Sequence, residues 1–162
     1  MQTRITSSAF ITYDEKVLLM KRGLHKKLGA GKWAGVGGHI DLQDIKNPRA
    51  LKLKKTCYRE IEEETGITKS QIKTLTLRYI AVIQVENEIR IHYHHIAQLK
   101  KEVPPHNKCN EGELHWLNKS EIENLPMSTT VKTAITHWLN HNKSETIHLI
   151  AVKNDIATIT EL

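Results

Sequence analysis

The chain has 162 residues, 39% apolar and 26% charged, and its 24 lysines and arginines exceed its 18 aspartates and glutamates to leave a formal charge of +6. That balance excludes a disordered or fibrous chain and suits one domain over residues 1–162, with a mostly aliphatic core because only eight residues are aromatic. Met1 to Ser8 carries no apolar signal core, no apolar run approaches a membrane span, and Cys57 and Cys109 form neither a metal pattern nor a disulfide framework, so a reducing cytoplasm and an anionic partner are the expectations.

In chain order, residues 4–12 and 16–22 alternate or run apolar around Tyr13-Asp-Glu-Lys16, which predicts two strands and a turn. Residues 23–47 are rich in Gly and Lys and read as a long loop, partly extended from Trp33 to Ile40. Asn47-Pro48 is a helix start, with Asn as N-cap and Pro in the first turn, and Gly66 is the matching stop. Residues 73–85 and 88–99 read as a hairpin turning at Glu86-Asn87. A loop with Pro104-Pro105 follows, then a short strand over 114–117 and a helical piece over 120–125. Val131, Ala134, Ile135 and Trp138 set a helix over 128–141. Two strands close the chain, around Lys153-Asn-Asp155. The fold class is a mixed α/β (α+β) domain without repeats or linkers.

The charge is unevenly spread. Lys21, Arg22, Lys26, Lys27 and Lys32 form one acid-free block, and Lys46, Arg49, Lys52, Lys54 and Lys55 form another. The rest of the chain therefore carries −4. Between the blocks lies Gly35-Val-Gly-Gly-His-Ile-Asp41, and after the second comes Arg59-Glu-Ile-Glu-Glu-Glu64. At about 100° per helical residue, Glu60, Glu63 and Glu64 share an arc of about 100°. Leu53, Ala50, Cys57 and Ile61 make an adjacent apolar stripe, and Glu62 points away. Like charges on one helix face repel by a few tenths of a kcal/mol per pair, so this crowding has no structural motive. Hard oxygen ligands suit Mg²⁺ or Mn²⁺, and Arg59 can hold Glu63 at i+4.

Arg59-Glu60-Ile61-Glu62-Glu63-Glu64-Thr65-Gly66-Ile67 resembles the second half of the Nudix (MutT-like) box, Arg-Glu-aliphatic-x-Glu-Glu-x-Gly-aliphatic, with every position satisfied. Gly31-Lys-Trp-Ala-Gly-Val-Gly-Gly-His-Ile-Asp41 resembles the glycine loop that opens the box. The resemblance implies a Nudix-type α/β/α sandwich with a mixed central sheet, and metal-dependent hydrolysis of a nucleoside diphosphate linked to a group X. It implies a Mg²⁺ or Mn²⁺ site at Glu60, Glu63 and Glu64, with the Gly38 carbonyl as a further ligand and Arg59 in support. Glu111 would assist as ligand or base, with Glu113 as the competing choice. Arg22, Gly37, Gly38 and Trp116 would contact the nucleotide, although a lone strand tryptophan also suits a core; Trp33 reads as packing under the loop. The sequence departs from the pattern upstream. Asp44 stands where a glutamate is usual, and about seven residues are inserted before Arg59.

Three readings of function follow. The first is a (d)NTP pyrophosphohydrolase of the 8-oxo-dGTP-cleaning type, giving nucleoside monophosphate and pyrophosphate. The second is a Nudix hydrolase of larger substrates, such as RNA 5′ ends, dinucleoside polyphosphates or ADP-ribose. The third is a non-catalytic nucleotide sensor, which the complete set of box carboxylates disfavours. No membrane partner is expected, and nucleic acid only as RNA 5′ ends. His92, His94 and His95 admit a zinc reading or a half-buried strand reading, and Cys57 reads as a buried thiol.

Overall fold

The computed structural model describes residues 1–40, 52–106 and 109–162. Asp44, the Asn47-Pro48 start, Ala50 and the insert up to residue 51 lie outside the described residues. Among the described residues, nine strands form one mixed sheet: β1 Gln2–Tyr13, β2 Lys16–Arg22, β3 Trp33–Ala34, β4 Val36–His39, β5 Ile72–Val85, β6 Glu88–Leu99, β7 Gly112–Asn118, β8 His148–Lys153 and β9 Ile156–Glu161. The main order is β3-β2-β1-β6-β5-β8-β9, with β4 paired to β1 and β7 to β2. The pairs β1/β6 and β5/β8 are parallel and the others antiparallel.

Alternation along β1 builds two cores. Ala9 and Ile11 face one side, where they meet Cys57 and Ile61 of helix α1 (Leu53–Thr65). Phe10 faces the other, with Val131, Ala134, Ile135 and Trp138 of helix α3 (Thr129–Asn140). A short helix α2 (Lys119–Ile122) precedes α3. The result is the expected sandwich, helix over sheet over helix. Truncating a fully buried anchor such as Ile61 to Ala would cost about 2–5 kcal/mol. In β5, Leu75 joins the α1 core but Tyr79 and Ala81 join the α3 core, because a register shift between Leu77 and Tyr79 reverses the alternation.

The glycine segment is wedged between β1 and β2. Those strands pair only over Ile11–Tyr13 and Lys16–Leu18. Where they part, β3 continues along Met20 and Lys21 of β2, while β4 continues along Thr6 to Ala9 of β1. The wedge is tight: a Cβ on Gly37 would overlap the backbone of Ser7 and Ser8. This packing brings the Gly37-Gly38 backbone beside α1.

Helix α1 begins after Lys52, whose φ −78 and ψ 44 are not helical. It ends at Gly66, which takes φ 75 and donates its N–H to the Glu62 carbonyl at 2.9 Å. Thr65 Oγ1 donates to the Ile61 carbonyl at 2.6 Å and accepts the Ile67 N–H at 3.0 Å. The helix places Lys54 and Lys55 in its first turn and Glu62, Glu63 and Glu64 in its last, opposite to what its dipole favours. Among the described residues, no helix is long and apolar enough to cross a membrane.

Candidate active site

Two carboxylates of α1 face the glycine strand. Glu64 is buried, and its Oε2 accepts the Gly37 N–H at 3.1 Å. Burial, then the nearby Glu60 charge, pushes its carboxyl up to about 8; the Gly37 bond and Arg22 oppose this, and Glu111 adds to it. Glu60 packs on Gly38 so closely that a Cβ there would overlap its carboxylate. Its carboxyl is also raised, chiefly by burial, with Arg59 pulling the other way. Arg59 donates from Nη2 to Glu60 at 2.7 Å and from Nη1 to Glu63 at 2.9 Å. Glu63 itself is exposed.

Arg59, Glu60 and Glu64, but not Glu63, border a cavity of about 690 Å³. Arg22, at the end of β2, lines it and donates from Nε to the Leu28 carbonyl at 3.1 Å. Glu111, just before β7, also lines it and is ion-paired with Lys26. Glu113 is instead exposed on β7, 3.3 Å from His115 Nε2, and does not border the cavity. The first basic block thus contributes Arg22, Lys26 and Lys32 to the wall, whereas Lys52, Lys54 and Lys55 of the second do not border it.

Trp116 stands elsewhere. Its ring packs against the α1 core, and its indole N–H donates to the Val103 carbonyl at 3.0 Å. The substrate contact expected of it corresponds to no wall of this cavity. Trp33, read from sequence as packing under the loop, lines the cavity while also packing against the α3 core. Arg4, Thr6 and Ser8 of β1 and Arg90 of β6 went unread in the sequence, and His92 and His94 were weighed only as zinc ligands or half-buried strand residues; all six are on the wall. Their signal was parity: each trio occupies alternate positions, so each lines one sheet face.

The histidines do not converge as metal ligands. His92 and His94 point Nδ1 to Thr6 Oγ1 at 2.6 Å and Ser8 Oγ at 2.9 Å, whereas His95 turns to the Ser8 carbonyl. Among the described residues, no group of three or more His, Cys, Asp or Glu side chains is arranged to hold a metal as it stands. Cys57 is a buried free thiol, pushed up to about 12 by burial, so it is no nucleophile at neutral pH.

Glu60 and Glu64 nonetheless fit a hard divalent cation. They are partly desolvated carboxyls beside a glycine backbone with no side chain to obstruct it, and the Glu60 charge raises the energy of the ionised form of Glu64. A cation there would offset that repulsion, and freeing Glu63 from Arg59 would supply a third carboxylate.

A mixed sheet sandwiched by helices, with paired carboxylates and cations at a cavity mouth, defines a class suited to phosphate ester or anhydride chemistry. The NUDIX domain family model matches residues 2–139, so the chain belongs to the Nudix family and is a Nudix hydrolase. Enzymes of this family generally use a divalent metal. A MutT protein from Bacillus halodurans superposes with TM-score 0.72 at 21% identity, over 96% of this chain and 97% of its own. A MutT Nudix hydrolase from Burkholderia pseudomallei gives 0.64 at 24% identity, over 84% and 98%. The Nudix domain of Shewanella oneidensis NrtR, in complex with ADP-ribose, gives 0.62 at 16% identity, over 88% of each chain. No curated protein sequence matches the chain significantly.

Proposed function

We propose that this chain hydrolyses a phosphoanhydride of a nucleoside diphosphate linked to a group X, using Mg²⁺ or Mn²⁺ held by Glu60, Glu63 and Glu64 with the Gly38 carbonyl and Glu111. The observation that supports this most is the packing of half-buried Glu60 and buried Glu64 against Gly37-Gly38 on the wall of a cavity that also carries Arg22, Lys26 and Lys32. When bound, the metal would neutralise phosphate oxygens and lower the pKa of a water. Arg22, Lys26 and Lys32 would receive the remaining phosphate oxygens, and Arg59 would orient Glu60 and Glu63. Phosphoryl transfer of this kind is mostly positioning and charge stabilisation.

A nucleoside triphosphate is the first substrate reading, with 8-oxo-dGTP as the specific candidate and monophosphate plus pyrophosphate as products. The position of Trp116 away from the cavity withdraws one argument for that base. Larger derivatives such as ADP-ribose form the second reading, favoured by a cavity that runs on to Arg4 and Arg90. A panel of nucleoside triphosphates, dinucleoside polyphosphates, ADP-ribose and capped RNA, assayed with and without Mg²⁺, tests both. Turnover of a triphosphate supports the first, exclusive turnover of a longer member supports the second, and none at all overturns the proposal.

A further inference from the structure

The cavity continues from the carboxylates along the face shared by β1 and β6. In their parallel register Ser8 stands opposite His94, Thr6 opposite His92 and Arg4 opposite Arg90, and all six line the wall. The Gly38 and Gly37 backbone lies level with Ser7 and Ser8. Arg4 is three to four residues further along β1, about 10–13 Å at the rise of a strand.

One carboxylate holds the two arginines side by side. Glu88 Oε1 accepts from Arg4 Nε at 3.0 Å and Oε2 from Arg90 Nε at 2.6 Å. Arg90, then Arg4, holds that carboxyl below its usual range. The Nη groups of both guanidiniums make no hydrogen bond among the described residues. Glu88 balances only one of the two charges. The excess is felt next door: burial first, then Arg90, His39 and Arg4, lowers His92 to about 4.

Between this cluster and the carboxylates, β1 and β6 present Thr6, Ser8, His92 and His94 to the wall, with no carboxylate, lysine or arginine among them. The Phe10 and His94 rings stack at 5.7 Å, and His94 and His92 at 6.0 Å. His94, lowered to about 3 by burial and its histidine neighbours, is neutral at physiological pH, and its Nε2 is buried without a partner. Such a wall suits the non-ionic part of a nucleoside, with anions at either end.

The geometry points to a second anion subsite, in which Arg4 and Arg90, aligned through Nε by Glu88, receive a phosphate that the substrate carries on a sugar outside the anhydride chain. Paired guanidiniums with free Nη groups match a dianionic, three-oxygen acceptor better than a neutral carbonyl. The inference rests on the reading that the carboxylate end acts on nucleoside diphosphate derivatives.

Titration calorimetry on the full chain tests it with ligands that hold no anhydride to cleave: adenosine 5′-monophosphate, adenosine 2′,5′-bisphosphate and adenosine 3′,5′-bisphosphate. One bisphosphate is expected to bind at least tenfold more tightly than the monophosphate, and which one does so identifies the sugar position. The Arg4→Gln/Arg90→Gln double variant is expected to abolish that ratio and leave monophosphate binding unchanged. An Arg90→Lys variant, which keeps the charge, is expected to retain part of it. Equal affinities in the wild type, or a preference that survives the double variant, would overturn the subsite. Turnover is not read here, so a bisphosphate preference in a chain that hydrolyses nothing counts against the proposed activity alone.

Discussion

The Gly37 N–H donates to Glu64 Oε2 over 3.1 Å, tying the glycine strand to a carboxyl that burial and Glu60 hold protonated up to about pH 8. In the metal-free protein this has a signed consequence. The folded-state value lies above the unfolded one, so between about pH 4.5 and 8 the native chain holds a proton the unfolded chain lacks. This contribution to stability is therefore lost as pH rises through that window, and a cation must displace the proton. Differential scanning fluorimetry should show Mg²⁺ or Mn²⁺ raising Tm by a few degrees, more at pH 8.5 than at pH 6. Glu64→Gln should remove most of that increment.

Gly37 and Gly38 are expected to fail differently. A Cβ at residue 37 meets the fixed backbone of Ser7 and Ser8, whereas one at residue 38 meets the Glu60 side chain. Gly37→Ala should lower stability by about 1–3 kcal/mol in urea unfolding. Gly38→Ala should fold near-normally but lose about tenfold or more in kcat, because it displaces Glu60.

The two tryptophans separate packing from binding. Trp116 donates to Val103 within the α1 core, so Trp116→Phe should cost about 1 kcal/mol of stability and leave KM unchanged. Trp33 lines the cavity, so Trp33→Ala should raise KM severalfold in steady-state kinetics.

Much of this architecture was legible in the chain. The Glu86-Asn87 turn, the Gly66 stop and the spacing of Val131 to Trp138 are local signals, and local physics decided them. The box carboxylates were legible because like charges crowd one helical face without structural benefit. The opposite end of the cavity was not. Arg4 and Arg90 meet only through a parallel pairing of strands some 86 positions apart in the chain, a register that no local pattern encodes. Trp116 stayed open between a nucleotide contact and the core, and the cavity-facing side of Trp33 went unread beside its packing, because residue type alone does not say which side of a sheet a ring occupies. Strict alternation from Leu75 would have turned Ile83 toward α1, and the bulge before Tyr79 reverses it and sets Ile83 on the cavity wall.

The neutral histidines set the acid limit. His92 and His94 are lowered to about 4 and about 3, below their unfolded values, so the unfolded chain binds the extra protons first. Their contribution is present above about pH 6.5 and is lost as pH falls toward 4. Thermal melts between pH 7 and 4 should show a steep fall in Tm, which His92→Phe/His94→Phe should flatten.

The central claim is metal-dependent hydrolysis at Glu60, Glu63 and Glu64. Its most direct measurement is the initial rate of release of phosphate-containing product from the best nucleotide of the panel, with Mg²⁺ and with EDTA, for wild type and Glu64→Gln. The expected result is activity only with Mg²⁺, and a loss of at least hundreds-fold in the variant because it removes a ligand charge. Full activity in EDTA, or in Glu64→Gln, would contradict it.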